Sequence, residues 1–234
     1  MKACIEIASV DSLTLRLFDG VEEGNIPWLL AASQRLQLVF GEWLLDIVPS
    51  YATLMLHYDL RKIGAREARA LIAAVLDDLR PVEEGAGREV ALPVWYDPCV
   101  GPELERLSRR LGLTRKRIIE LHSQREYRVF TLGFVPGFAF MGLLDEALAS
   151  PRLATPRQRV PGGSVAIAER QTSVYPCASP GGWNVLGRTP TRLFDNSLQD
   201  HSLLRPGDRV RFVPIERSEF IRLDGDDSPF EELA

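Results

Sequence analysis

A chain of 234 residues with 45% hydrophobic content has ample material for a buried core and fits one large domain or two modest ones. Its net charge of −4 excludes the basic footprint of a nucleic-acid binder. No stretch approaches the ~18 uninterrupted apolar residues of a membrane helix, and Glu6 and Asp11 interrupt the start of the chain, so neither secretion nor membrane insertion is expected.

The first strand is read at Leu13, Leu15 and Leu17, which alternate with Ser12, Thr14 and Arg16. A helix opens at Pro27, carries Trp28, Ala32, Leu36 and Val39 at helical spacing, and stops at Gly41. Trp43–Val48 and Thr53–Tyr58 read as two strands joined by a turn at Pro49-Ser50. Ala68, Leu71, Ile72, Val75, Leu76 and Leu79 form a second helical stripe ending at Pro81, and Glu83–Gly87 reads as a polar linker. Strand, helix, strand, strand, helix, with Glu89–Val94 as a returning strand, is the split βαβ pattern of a ferredoxin-like domain.

Beyond the linker, Pro102–Leu111 and Thr114–His122 read as short helices, with Gly112 ending the first and Thr114 capping the second. The texture then changes. Gly133–Pro190, a quarter of the chain, holds 15 of its 34 Gly and Pro residues, so short strands such as Ser164–Ala168 joined by tight turns are expected, in a barrel or sandwich. Arg209–Pro214 reads as a closing strand after the turn Arg205-Pro-Gly-Asp208, and the acidic end as a mobile tail.

Three cysteines without paired spacing, Cys4, Cys99 and Cys177, offer no disulfide framework and fit a reducing, cytoplasmic compartment. His57, His122 and His201 are scattered, so no metal site is expected. Charge is uneven: residues 1–88 carry nine basic and thirteen acidic groups, whereas Gly133–Pro190 carries five arginines (Arg152, Arg157, Arg159, Arg170, Arg188) against three acids, a bias that suits a small anion.

Four pieces of that stretch are specific: GFVPGFAFMG from Gly133, ATPRQRVPGGSVAIA from Ala154, QTSVYP from Gln171 and SPGGWNVLGRTP from Ser179. In this order and spacing they resemble the family that unites KipI, allophanate hydrolase subunit 1 and the B subunit of 5-oxoprolinase. The likeness runs upstream through His122 and downstream through LLRPGDRVRF, whereas the N-terminal half fits in layout only. The resemblance implies a cyclophilin-like β-barrel behind a small α/β domain, so an α+β chain is expected, with the ferredoxin-like α/β domain over 1–88, the barrel over 89–225 and an acidic tail over 226–234.

It also implies partners: a sister C subunit, similar to allophanate hydrolase subunit 2, and a lactam-utilisation protein as the A subunit. In 5-oxoprolinase the assembly opens the lactam of 5-oxo-L-proline to L-glutamate at the expense of ATP. The leading expectation is therefore the B subunit of that hydrolase, inactive alone, with ATP as co-substrate of the complex. The alternatives are a KipI-like inhibitor of a sensor histidine kinase and half of a urea-carboxylase-type carboxyltransferase; prolyl isomerase activity has only the barrel type behind it.

Such a site needs anion binders, because a lactam is a poor electrophile until its oxygen is activated. The matched motifs imply His122 and Arg159 as catalytic residues. They imply Phe134, Pro136, Gly137, Arg157, Gly162, Gly163, Gln171, Tyr175, Gly181, Gly182, Trp183 and Arg188 as substrate-binding residues. Singly, each has a plainer reading: glycine pairs as turns, arginines as ion pairs, phenylalanines as core. Two departures stand out. Glu169-Arg170 replaces the family's Gly-Gly, which places two charges where ligand choice would be affected, and Phe140-Met141 replaces an aromatic-leucine pair. No GxxxxGK[ST] is present, so any ATP contact is expected to be shared with a partner.

Overall fold

In the computed structural model, which describes residues 3–83, 87–197 and 201–230, the strand read at Leu13 is the second of the chain. The chain divides into two units, Met1–Gly87 and Arg88–Ala234. Most of the linker expected at Glu83–Gly87 lies outside the described residues.

The first unit contains β1 (Cys4–Ile7), β2 (Ser12–Arg16), α1 (Ile26–Phe40), β3 (Leu44–Pro49), β4 (Thr53–Tyr58) and α2 (Ala65–Asp77). Its antiparallel sheet has the order β1-β2-β4-β3. Alternation puts Leu13, Leu15, Leu54 and Leu56 on one face, where they are buried with Leu29 and Leu36 of α1 and Ala68 and Ile72 of α2. This is the expected ferredoxin-like layout with one exchange. The edge position belongs to Cys4–Ile7, which sequence reading missed because the strand is mostly exposed and Glu6 breaks its pattern. Glu89–Val94 does not return to this sheet; Leu92 and Val94 are buried in the second unit's core instead.

There, β5 (Glu89–Val94) is followed by α3 (Glu103–Leu111), α4 (Arg115–Ser123), β6 (Glu126–Leu132), β7 (Ala139–Gly142), β8 (Arg157–Val160) and β9 (Ser164–Ala168). Next come β10 (Gln171–Val174), β11 (Ser179–Gly181), β12 (Asn184–Arg188), β13 (Arg209–Pro214) and α5 (Arg217–Arg222). Seven strands form one sheet in the order β12-β9-β10-β7-β6-β13-β5. Its two ends meet where Trp95, just past β5, exchanges two backbone hydrogen bonds of 2.9 Å with Arg188 at the end of β12. The sheet is thus a nearly closed barrel with little free edge to cap. Val129, Met141, Val165, Ile167, Leu186 and Phe212 fill its core. Gly112 ends α3 in the left-handed region at φ 65°, and the Thr114 hydroxyl caps α4 by accepting from the Arg117 N–H at 3.1 Å.

β8 and β11 pair separately as a two-stranded sheet. Helix α5 was not anticipated, and Asp226–Phe230 is not the free tail expected. The Arg188 side chain donates to the carbonyls of Asp226 and Ser228 at 2.6 and 2.9 Å, and the Phe230 N–H donates to the Cys99 carbonyl at 2.7 Å. A buried guanidinium requires acceptors, and this segment supplies two of them, both to Nη1. Residues 231–234 lie outside the described residues. Among the described residues, no helix is long and apolar enough to cross a membrane.

Candidate functional site

A cleft of about 300 Å³ opens on the barrel, lined by Phe134, Phe138, Phe140, Arg152, Pro156, Tyr175, Pro180, Gly181, Gly182 and Trp183. Its walls are aromatic. Phe138 sits at the centre, with ring centroids 5.3 Å from Phe134, 4.9 Å from Phe140, 5.3 Å from Tyr175 and 5.7 Å from Trp183, all edge to face. That is the geometry aromatic quadrupoles favour. The β6–β7 loop brings Phe134 and Phe138, β7 brings Phe140, and β11 with the residues after it brings Pro180 to Trp183.

Phe134 is 60% exposed at a backbone φ of 70°. A left-handed conformation costs a non-glycine residue about 1–2 kcal/mol, and Phe134 adopts it with its ring exposed along the cleft lining. Tyr175 is buried behind it. Burial raises the phenol pKa, so Tyr175 remains a protonated donor and not a base. Among the described residues, Arg152 is the only cation lining the cleft; its guanidinium carbon lies 5.9 Å from the centroid of the Trp183 ring, a cation–π arrangement.

Of the residues chosen from the sequence, Phe134, Tyr175, Gly181, Gly182 and Trp183 line this cleft. The rest do not. Pro136 and Gly137 belong to the same β6–β7 loop but lie outside the lining, where Gly137 packs closely on Phe194 and Leu193. Gly162 and Gly163 form the turn between β8 and β9, and the Gly163 N–H is already given to the Tyr175 carbonyl at 2.7 Å. Gln171 opens β10, opposite Gly142. Arg157 pairs with the buried Glu103 at 2.6 Å, while the other Glu103 oxygen accepts from the Val185 N–H at 2.8 Å. Arg188 is buried beneath the C-terminal segment.

Neither residue chosen as catalytic reaches the cleft. Arg159 is exposed on β8 and does not line it; Arg152, counted but not chosen, is the arginine there. His122 is fully enclosed. Its Nδ1 lies 2.7 Å from the Tyr96 hydroxyl, its Nε2 lies 2.8 Å from the Thr172 hydroxyl, and its ring stacks on Phe212 at 4.5 Å. Thr172 gives its own proton to the Ala166 carbonyl at 3.3 Å, so Nε2 carries the imidazole proton and Nδ1 accepts from Tyr96. Burial lowers the His122 pKa to about 3, leaving a neutral core residue.

The Glu169-Arg170 departure also has a different meaning from the one expected. Glu169 occupies the β9–β10 turn at φ 52°, a conformation glycine adopts without strain, and Arg170 pairs with Glu146 at 3.3 Å. The two charges serve a turn and not the cleft. Phe138 and Phe140, read as barrel core, are both core and cleft wall. No local signal singled out Arg152; only the packing of its segment beside Trp183 does so. Among the described residues, no group of three His, Cys, Asp or Glu is placed to hold a metal ion.

The family model described as carboxyltransferase domain, subdomain C and D, matches residues 3–204. The chain is 50% identical over 131 residues to the 5-oxoprolinase B subunit of Escherichia coli O157:H7, covering 56% of this chain and 60% of that protein. It is 35% identical over 186 residues to the 5-oxoprolinase B subunit of Bacillus subtilis (strain 168), covering 75% and 78%. The match thus spans 60% of the length of the first relative and rather more of the second. Among solved structures, TTHA0988 superposes with a TM-score of 0.78 at 40% identity, covering 88% of this chain and 40% of that one. The urea amidolyase of K. lactis superposes with a TM-score of 0.74 at 16% identity, covering 98% and 16%, a likeness of fold alone.

Proposed function

The chain belongs to the carboxyltransferase domain, subdomain C and D, family, and we propose that it is the B subunit of an ATP-dependent 5-oxoprolinase, contributing part of the site that opens 5-oxo-L-proline to L-glutamate. The observation that carries this reading is the 35% identity to a 5-oxoprolinase B subunit along 75% of this chain and 78% of that relative. The cleft supports it. A small flat lactam suits aromatic walls and a volume of about 300 Å³, near the lower limit for small-molecule sites. The substrate carboxylate would meet the Arg152 fork, and the Tyr175 hydroxyl remains a donor behind the ring.

Opening the lactam requires activation of its oxygen, a water nucleophile and a base. The cleft residues supply binding and orientation but no acid–base pair. A nucleoside triphosphate does not fit this lining, which offers a single guanidinium. ATP and the remaining chemistry therefore fall to surfaces shared with the sister C subunit and the lactam-utilisation A subunit, which makes this chain inactive alone. Three free, exposed cysteines suit the cytoplasm as its compartment. The test is ATP-dependent glutamate release by the chain alone, by its co-expressed partners alone and by all together. Activity only in the full set supports the reading; full activity without this chain overturns it.

A further inference from the structure

Arg188 is 2% exposed, yet its guanidinium is only half used. Nη1 donates to the carbonyls of Asp226 and Ser228 at 2.6 and 2.9 Å, whereas Nε and Nη2 are buried without a hydrogen-bond partner. Those two nitrogens form the edge with which arginine grips a carboxylate or phosphate through two parallel hydrogen bonds. Directly opposite on β9, Ser164 is fully buried, and its hydroxyl also lacks a partner. Cross-strand neighbours share one face of the sheet, so the orphaned fork and the orphaned hydroxyl belong to one polar spot. Buried polar groups are rarely left unsatisfied, and several together call for an explanation.

The Asp226 carboxylate does not provide one. Its nearest oxygen is 3.9 Å from Nη1, on the side already engaged, and Asp226 itself is largely exposed. Beside the spot runs the segment Asp226–Phe230, which holds Nη1 through two backbone carbonyls and is itself held by the Phe230 N–H bond to Cys99 and the Phe230 ring, 5.0 Å from the Arg157 guanidinium.

We propose that Arg188 and Ser164 form an oxyanion-binding site distinct from the aromatic cleft, and that Asp226–Phe230 is a strap over it which must lift for a carboxylate or phosphate to enter. The carbonyls of the strap hold Nη1, so the closed strap fixes the buried guanidinium in place, and an anion reaches its Nε–Nη2 edge once the strap has lifted.

The experiment titrates the full chain with inorganic phosphate and with 5-oxo-L-proline by calorimetry, and follows amide exchange at Phe230. Phe230→Ala removes the ring that anchors the strap and is expected to tighten anion binding about tenfold, because the open form becomes more populated. Adding Arg188→Gln to that variant is expected to abolish phosphate binding. Arg188→Lys, which keeps the charge but loses the fork, serves as the second probe should the glutamine variant fail to fold, and is expected to weaken binding at least about tenfold. The Phe230 amide should exchange faster with anion bound. Binding of phosphate alone would identify a phosphoryl ligand, and binding of 5-oxo-L-proline alone a carboxylate ligand; either supports the site when it depends on Arg188. 5-Oxo-L-proline binding that is lost in Trp183→Ala and retained in Arg188→Lys belongs to the aromatic cleft, and the Arg188 site is overturned, without touching the proposed function, when phosphate binding is likewise unaltered in Arg188→Lys. Absence of anion binding in Phe230→Ala, or slower exchange at Phe230 with anion, also overturns it.

Discussion

Gly181 lies so close to Tyr175 that a Cβ on the glycine would stand 2.2 Å from the tyrosine hydroxyl oxygen. No side chain fits there unless the tyrosine, which forms one wall of the cleft, moves away. Gly181→Ala is therefore expected to destabilise the protein by about 1–3 kcal/mol through overpacking and to open the cleft. Gly182→Ala is the control, because its Cβ would meet Pro156 at an ordinary 3.6 Å. Thermal melts and near-ultraviolet circular dichroism of both variants test this; equal behaviour of the two would contradict the packing assigned to Gly181.

Arg152 and Trp183 should act on substrate capture. On the proposed function, Arg152→Gln in the assembled complex is expected to raise KM for 5-oxo-L-proline about tenfold with little change in kcat, the pattern of lost ground-state binding. Trp183→Ala should act in the same direction, with some loss of stability because Trp183 is also core. A KM unaltered in Arg152→Gln would remove Arg152 from the site.

The enclosed His122 predicts an acid slope. In the unfolded chain its imidazole takes up a proton near the ordinary 6.5, whereas in the fold burial holds it neutral until about 3. The unfolded state therefore binds more protons between these values, and stability falls as pH drops from 6.5 toward 3, by up to about 1.4 kcal/mol per pH unit. Denaturation at pH 7 and pH 5 should differ by about 2 kcal/mol more in the wild type than in His122→Gln. Equal slopes would mean that the imidazole titrates normally in the folded protein.

Glu169→Gly should stabilise the protein. Relief of the left-handed strain at φ 52° is worth about 1–2 kcal/mol, and the added freedom of glycine in the unfolded chain takes back about 0.4–1 kcal/mol. A net gain of roughly 0.5–1 kcal/mol is expected from these two terms, with the proposed 5-oxoprolinase activity of the assembled complex unaltered. A change in substrate affinity would return Glu169 to the cleft.

Periodicity and punctuation determined most of the local structure. The helices around Leu36 and Ile72, the strand pair meeting near Pro49-Ser50 and the caps at Gly112 and Thr114 are written in residues whose backbone and side-chain preferences act within a few positions. The motif-rich stretch also located the cleft, because Phe134, Tyr175, Gly181 and Trp183 stand within it. Tertiary structure decided which charged and polar groups are available, since that depends on partners distant in the chain. Glu103 consumes one arginine, Asp226–Phe230 covers another, and Tyr96 and Thr172 lock His122 inside the barrel. Arg152 reaches the cleft because packing carries its segment against Trp183. A strand pairs within a few ångströms of its neighbour whatever the sequence separation, so β5 could leave the first sheet for β13, and an arginine's role follows from whichever acceptor the fold brings to it.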